Sequence, residues 1–202
     1  CAVYRNTQIH LIKDTLISFL LSFIISFAIY LLPGIFRITA LSNDPVQDMP
    51  SEIIYLRDCD SQNEWSIASS PMPDDNEYYV KYGLGYCKYI HTSNSIGQEV
   101  EVFVPKEDTV KVNIIHLKNM LPQKRKVKIV FYAKLVMEED EINSNKFINL
   151  DFDYNSNTLI AKNIISDEFK NYVYMSSSEK ISSYTGNKDE FFGDGNLSKP
   201  EG

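Results

Sequence analysis

The longest run of alternating apolar and polar residues lies between Glu77 and Val136. Val100, Val102 and Val104 fall on one side of an extended chain, and Glu99 and Glu101 fall on the other. The alternation restarts as Val110, Val112 and Ile114 against Lys111 and Asn113. It restarts again as Val127, Ile129, Phe131, Ala133 and Leu135 against Lys126, Lys128 and Lys134. Each run predicts a half-buried strand. Pro105 with Glu107 and Asp108 separates the first pair, and Leu121-Pro122-Gln123-Lys124 the second, because proline cannot donate to a ladder and presets a turn. The three strands are therefore expected to form an antiparallel meander.

The flanking chain extends the same pattern. A short strand is predicted over 52–57, a turn over 58–63 leading to Trp65, and a loop over 69–76 with two prolines and two aspartates. Strands over 77–82 and 86–92 flank Gly83-Leu84-Gly85, where glycines predict a bulge or a close backbone approach. After Val136 the acidic run Glu138-Glu139-Asp140-Glu141 reads as a solvated loop. A hairpin follows over 147–154 and 158–163 across Asn155-Ser156-Asn157, then a strand over 172–176 and an irregular tail rich in Gly and Asn. No long amphipathic helix follows residue 36. The fold class predicted is all-β, an antiparallel β-sandwich preceded by one apolar N-terminal helix.

That N-terminal helix rests on residues 15–36, which carry no charge and would span about 33 Å, enough for a hydrocarbon layer. Leu16-Ile17-Ser18-Phe19, Leu20-Leu21-Ser22-Phe23 and Ile24-Ile25-Ser26-Phe27 repeat a tetrad whose serines form a small-residue ridge. Arg5 and Lys13 precede the segment and Arg37 follows it, a bias leaning toward a cytoplasmic N-terminus. No small-x-small site stands between Pro33-Gly34 and Arg37, which argues against a signal peptide. At Arg37 the composition changes abruptly, and Ser42-Asn43-Asp44-Pro45 is strong turn chemistry.

Composition narrows the function classes. A chain of 202 residues can bury one substantial core or at most two small ones. The formal charge of −7 and the lack of a basic patch among the tyrosines argue against nucleic acid as a partner. Cys1, Cys59 and Cys87 are odd in number and widely spaced, so they read as free thiols, which fits a reducing compartment or a cytoplasmic face, rather than a disulfide framework or metal site. The carboxylate pairs Asp58/Asp60, Asp74/Asp75 and Asp151/Asp153 sit in turns or along strand faces and read as solvated groups. His10, His91 and His116 have no metal-ligand or triad spacing, and His116 reads as a structural strand residue. Gly83-x-Gly85 lacks the rest of a dinucleotide loop. Asn196-Leu197-Ser198 is a glycosylation sequon only in an extracellular protein. Tyr78, Tyr79, Tyr82, Tyr86 and Tyr89 could stack on sugar rings or simply pack the sheet. The residues themselves point to no catalytic set, cofactor site or metal site.

Several motifs in collinear order add a resemblance. Leu41-Ser42-Asn43-Asp44-Pro45-Val46, Glu52-Ile53-Ile54-Tyr55-Leu56-Arg57-Asp58 and Trp65-Ser66 are followed by Tyr79-Val80-Lys81-Tyr82-Gly83-Leu84-Gly85-Tyr86. Val102-Phe103-Val104-Pro105, Val110-Lys111 and 183–193 from Ser183 to Gly193 continue the series. This pattern resembles the N-terminal β-supersandwich of glycoside hydrolase family 94, in particular the 1,2-β-oligoglucan phosphorylases and the phosphorylase-like region of cyclic β-1,2-glucan synthases. The resemblance implies inverting phosphorolysis or its reverse, with inorganic phosphate as co-substrate. It also implies that the acid and the phosphate site belong to a later (α/α)6 barrel, absent from this chain, which then looks like a piece of a longer protein. The domain expectation is an apolar segment over 1–36 and a supersandwich over 37–202. Its implied partners are a β-glucan oligosaccharide and the missing barrel, with a membrane as a further partner through 15–36. Arg37, Asn43 and Asp44 are carried over as candidates for sugar contact or for holding their turn together. Upstream of Arg37 the chain departs from the family's Gly- and aromatic-rich strands, which leaves two readings of 1–36: a membrane anchor, or sequence read out of frame. The location expected is cytoplasmic, or membrane-associated where the anchor is genuine. The reading from a different class is a membrane-anchored β-sandwich interaction module without sugar chemistry.

Overall fold

The computed structural model describes residues 50–137, 147–165 and 172–201. The apolar segment 15–36, the turn at 42–45 and the acidic run 138–141 lie outside the described residues. Among the described residues no helix is long and apolar enough to cross a membrane.

The described chain is built from antiparallel strands in the order β1 (Glu52–Asp58), β2 (Glu64–Ser66), β3 (Tyr78–Gly83), β4 (Tyr86–Ser93), β5 (Ile96–Phe103), β6 (Val112–Asn119), β7 (Val127–Ala133), β8 (Ile148–Asp153), β9 (Thr158–Asn163) and β10 (Tyr172–Ser176), with one short helix, α1 (Lys188–Phe192). They form three sheets, ordered β2-β1-β7, β3-β4-β5-β6 and β10-β9-β8. The all-β fold class and the strands over 52–57, 77–82, 86–92, 147–154, 158–163 and 172–176 agree with the sequence pattern to within a residue or two.

The meander is corrected at its last strand. β6 pairs with β5, but β7 leaves that sheet and pairs with β1, with Asp58 opposite Val127 and Glu52 opposite Ala133. An alternating strand satisfies its pattern against any partner that offers an apolar face, so alternation alone does not choose the neighbour. Here the choice is made by the loop before β7. The Cys59 N–H donates to the Lys126 carbonyl at 2.9 Å, and the Arg125 side chain binds Asp58 at the end of β1.

The inward face of β6 is corrected as well. Ile115 stands opposite Val100 and Leu117 opposite Gln98, and both pack against the core, while Ile114 is left exposed. Ile114-Ile115 is the point where two alternations overlap. Only the register with β5 decides between them, because a one-residue slip moves every side chain to the opposite face.

The main core forms where β1 and β2 lie over the inner face of the four-stranded sheet. Leu56, Trp65, Ile67, Ile96 and Val100 are buried there, with Ile54, Tyr89, Val102, Ile115, Leu117 and Val127 packed around them. The opposite face of β1 carries Ile53 and Tyr55, which are also buried. Tyr55 lies 6.2 Å from Phe191 between ring centroids, and Tyr132 of β7 stacks on Phe191 at 5.3 Å and meets Phe192 edge-on. The Tyr55 hydroxyl donates to the Leu197 carbonyl at 2.8 Å. Burial first, and then neighbouring Tyr132 and Glu64, push that phenol's pKa up.

The helix α1, which the irregular-tail reading did not foresee, starts at Asn187. Its side chain accepts the Asp189 N–H, and the helix stops at Gly193, whose φ is 55°. A second, smaller core lies in the β8–β10 sheet around Met137 and Ala161, with Leu135, Ile148, Leu150 and Val173.

Leu56 is fully buried, whereas Ile129 on the same face of the neighbouring strand is 50% exposed. Leu56→Ala should therefore lower unfolding free energy by about 2–5 kcal/mol, and Ile129→Ala by no more than about 1 kcal/mol, in urea titrations of the two variants.

Candidate functional site

The outer face of the β3–β6 sheet combines aromatic and charged side chains. Strand alternation places Tyr79 of β3, Tyr86, Lys88 and Ile90 of β4, and Glu99 and Glu101 of β5 on that face. Lys88 stands directly opposite Glu101, and its Nζ lies 2.8 Å from the Glu101 carboxylate and 2.9 Å from that of Glu99. The same ammonium lies 6.0 Å from the centre of the Tyr86 ring. Tyr86 sits opposite Gly83, and a Cβ added to Gly83 would fall 2.2 Å from Tyr86 Cε1, so the ring fills space that only glycine leaves open. Gly85, at φ 83°, makes the turn between the strands. The glycines predicted to mark a bulge or close approach thus make a tight hairpin turn and a seat for an aromatic ring.

The five tyrosines grouped in the sequence divide between faces. Tyr79 is 54% exposed and Tyr86 is 41% exposed on the outer face. Tyr78 and Tyr89 turn inward, Tyr78 onto His91 and Tyr89 onto the core. Burial, followed by the adjacent Cys87 thiol, pushes Tyr89 up to about 12. Tyr82 is on the inner side at the sheet's end and is largely exposed.

This arrangement can hold a polyol. An aromatic ring offers an apolar face to sugar C–H groups, and the flanking ammonium and carboxylates can exchange hydrogen bonds with hydroxyls. It is poorly suited to general acid catalysis. Lys88 holds the Glu99 carboxyl below its usual range, whereas an acid that protonates a leaving oxygen needs its pKa raised.

The carboxylate pairs divide in the same manner. Asp151 and Asp153 alternate along β8 and satisfy local backbone: Asp151 accepts the Phe152 N–H, and Asp153 accepts the Asn155 N–H and the Ser156 hydroxyl. Asp75 and Asp60 are exposed. Asp58 and Asp74 depart from the solvated reading. No group of three or more potential metal ligands occurs among the described residues.

Asp58 is buried, with Arg125 Nε donating to its Oδ2 at 2.9 Å, the Asp60 N–H to its Oδ1 at 2.8 Å, and Arg125 Nη1 to the Asn94 carbonyl at 2.6 Å. The Arg125 bond, ahead of the others, holds the Asp58 carboxyl below its usual range. One arginine thereby ties the end of β1 to the β4–β5 turn and the loop before β7. Trp65 Nε1 donates to Gln98 Oε1 at 2.9 Å, and Gln98 Nε2 donates to the Ile67 carbonyl at 3.2 Å, fixing β2 to β5 inside the core. His91, given no role by sequence spacing, is buried with both ring nitrogens facing oxygen acceptors. Its one sequence signal was its place two residues after Tyr89 on the inward side of β4. His116, by contrast, is exposed on the outer side of β6. Arg37, Asn43, Asp44 and His10 lie outside the described residues.

Comparison with known proteins follows the fold. The family model described as glycosyl hydrolase 94, supersandwich domain, matches residues 28–202, so the match begins upstream of Arg37 and inside the apolar segment. Among curated relatives, an N,N'-diacetylchitobiose phosphorylase of Vibrio proteolyticus is 27% identical over 178 residues, covering 83% of this chain and 22% of the relative. The cyclic beta-(1,2)-glucan synthase NdvB of Rhizobium meliloti is 25% identical over 162 residues, covering 78% of this chain and 6% of the relative. A solabiose phosphorylase of Paenibacillus borealis is 24% identical over 144 residues, 69% of this chain and 19% of the relative. The chain thus spans about a fifth or less of the length of these relatives.

The Asp58–Arg125 pair has a signed pH consequence. A depressed carboxylate contributes stability above its unfolded-state pKa, and that contribution disappears as pH falls through the folded-state value. Arg125→Ala should lower the melting temperature at neutral pH and move the acid-unfolding midpoint, followed by circular dichroism, to higher pH.

Proposed function

Because the chain belongs to the glycosyl hydrolase 94 supersandwich-domain family, we propose that it is the saccharide-holding, non-catalytic module of a larger glycoside phosphorylase or glucan synthase. The bond-breaking step, an inverting attack by inorganic phosphate or its reverse, falls to a separate (α/α)6 barrel. The module contributes structure and a surface on which a β-linked oligosaccharide rests. The observation that carries this reading is the outer face of the β3–β6 sheet. There Tyr86 and Tyr79 stand beside a carboxylate–ammonium–carboxylate row in which Lys88 bridges Glu99 and Glu101. Such a surface exchanges hydrogen bonds with hydroxyls without presenting a proton-donating acid. Arg37, Asn43 and Asp44 remain part of the proposal as further sugar contacts on the barrel side.

Trp65 is buried, so its fluorescence does not report on surface stacking; tyrosine emission does. Titration with linear β-1,2-gluco-oligosaccharides, and in parallel with N,N'-diacetylchitobiose, should change tyrosine emission at millimolar sugar for one of the two series. Tyr86→Ala should weaken that binding by roughly fivefold or more, the equivalent of about 1 kcal/mol of lost aromatic contact. Silence with both series, in this chain and in one extended through the barrel, would support instead an interaction module without sugar chemistry.

A further inference from the structure

The inner face of the β3–β4 hairpin holds an arrangement that the saccharide reading does not use. His91 sits toward the C-terminal end of β4 with its side chain 1% exposed. Its Nδ1 lies 3.0 Å from the Glu77 backbone carbonyl, which can only accept a hydrogen bond, so Nδ1 carries a proton. Its Nε2 lies 3.1 Å from Asp74 Oδ2. Asp74 Oδ1 already accepts the Asn76 N–H at 2.9 Å. Burial opposes ionisation of Asp74, but the donors from Ser93, Asn76 and His91 outweigh it and hold the carboxyl below its usual range. A carboxylate ringed by donors is the ionised form, and its bond to Nε2 then needs a second ring proton.

Tyr78 covers the imidazole, stacked at 3.7 Å between centroids and 10° between planes, and its hydroxyl accepts the Asp74 N–H at 3.1 Å. The ionisable groups facing the ring are Asp74 from the 69–77 loop and Tyr78 from β3. The Glu77 side chain turns away to the Tyr79 hydroxyl. From β5 and β6 the same row presents Gln98 and Leu117, neither of which ionises.

We propose that His91 and Asp74 form a pH-operated latch, in which a doubly protonated imidazole holds the loop 69–77 against the inner side of β4 and releases it when one ring proton is lost. With one proton gone, Nδ1 keeps its bond to Glu77 and the Nε2 lone pair faces the Asp74 carboxylate, acceptor against acceptor. An unpaired polar contact of that kind is costly in a buried site. At the acid end the sign reverses. The stability due to Asp74 disappears as pH falls through its depressed folded-state value. The latch is therefore closed in a window bounded below by Asp74 and above by the imidazole.

The test is made on the whole 202-residue chain by nitrogen-15 NMR of the His91 ring and amide exchange of the 69–77 loop, from about pH 5 to about pH 9. Both ring nitrogens should carry protons while the loop is protected. Loss of the Nε2 proton should coincide with exchange in 70–77 that is faster by roughly tenfold or more, beyond the intrinsic rise with pH seen in an exposed loop of the same chain. Asp74→Asn supplies the complementary arm. Its amide N–H can donate to an unprotonated Nε2, so the loop should stay protected at the upper end of the range. An unprotonated Nε2 in the protected wild-type loop would overturn the proposal. So would loop protection that stays flat while the ring titrates, or an Asp74→Asn protein that keeps the wild-type pH dependence.

Discussion

The structure depends on burying β1 on both faces at once. A strand with one wet face needs apolar residues only at every second position, yet Ile53, Tyr55 and Leu56 are all buried within β1. One face meets the β3–β6 sheet through Leu56, beside Trp65 of β2, and on the other Tyr55 meets Phe191 of α1, whose partner Phe192 meets Tyr132 of the neighbouring β7. The chain's C-terminal segment is thereby part of the core assembly, although more than a hundred residues separate it from β1. The Tyr55 hydroxyl, which would otherwise be an unpaired polar group in that layer, finds its acceptor in the Leu197 carbonyl.

Around that central strand the polar groups do different work on different surfaces. Inside, Asp58 with Arg125 and Trp65 with Gln98 tie together segments that are distant in the chain, and among the described residues no buried side-chain polar atom lacks a partner. These pairs select one arrangement of strands, since a shifted register would strand a charge or an indole N–H in a dry interior. Outside, Lys88 gathers two glutamates beside an exposed tyrosine, and the charges there remain close to water. The first kind of pairing holds the sandwich in one form, and the second leaves a surface able to exchange hydrogen bonds with a ligand.

Much of the architecture is legible in the sequence. The alternations around Val100-Val102 and Val127-Ile129-Phe131 mark strands because a half-buried pleated ribbon demands period two, and the Asn155-Ser156-Asn157 turn follows from side chains that close their own backbone turns. The collinear motifs from Leu41 through Gly193 pointed to the family that the 28–202 match supports. The tyrosines were visible as a group, but their division into stacking faces and core packing was not, because it depends on which side of β3 and β4 the second sheet covers.

Local pattern along the chain determined where extended segments, turns and apolar faces lie, since these follow from side-chain spacing and backbone preference within a few residues. Only the tertiary structure decided that β7 joins β1 rather than β6, that Ile115 rather than Ile114 faces inward, and that His91 meets Asp74 and Glu77. Each of those outcomes is a competition among partners of equal local merit. It is settled by register, burial and hydrogen-bond pairing between segments far apart in the chain.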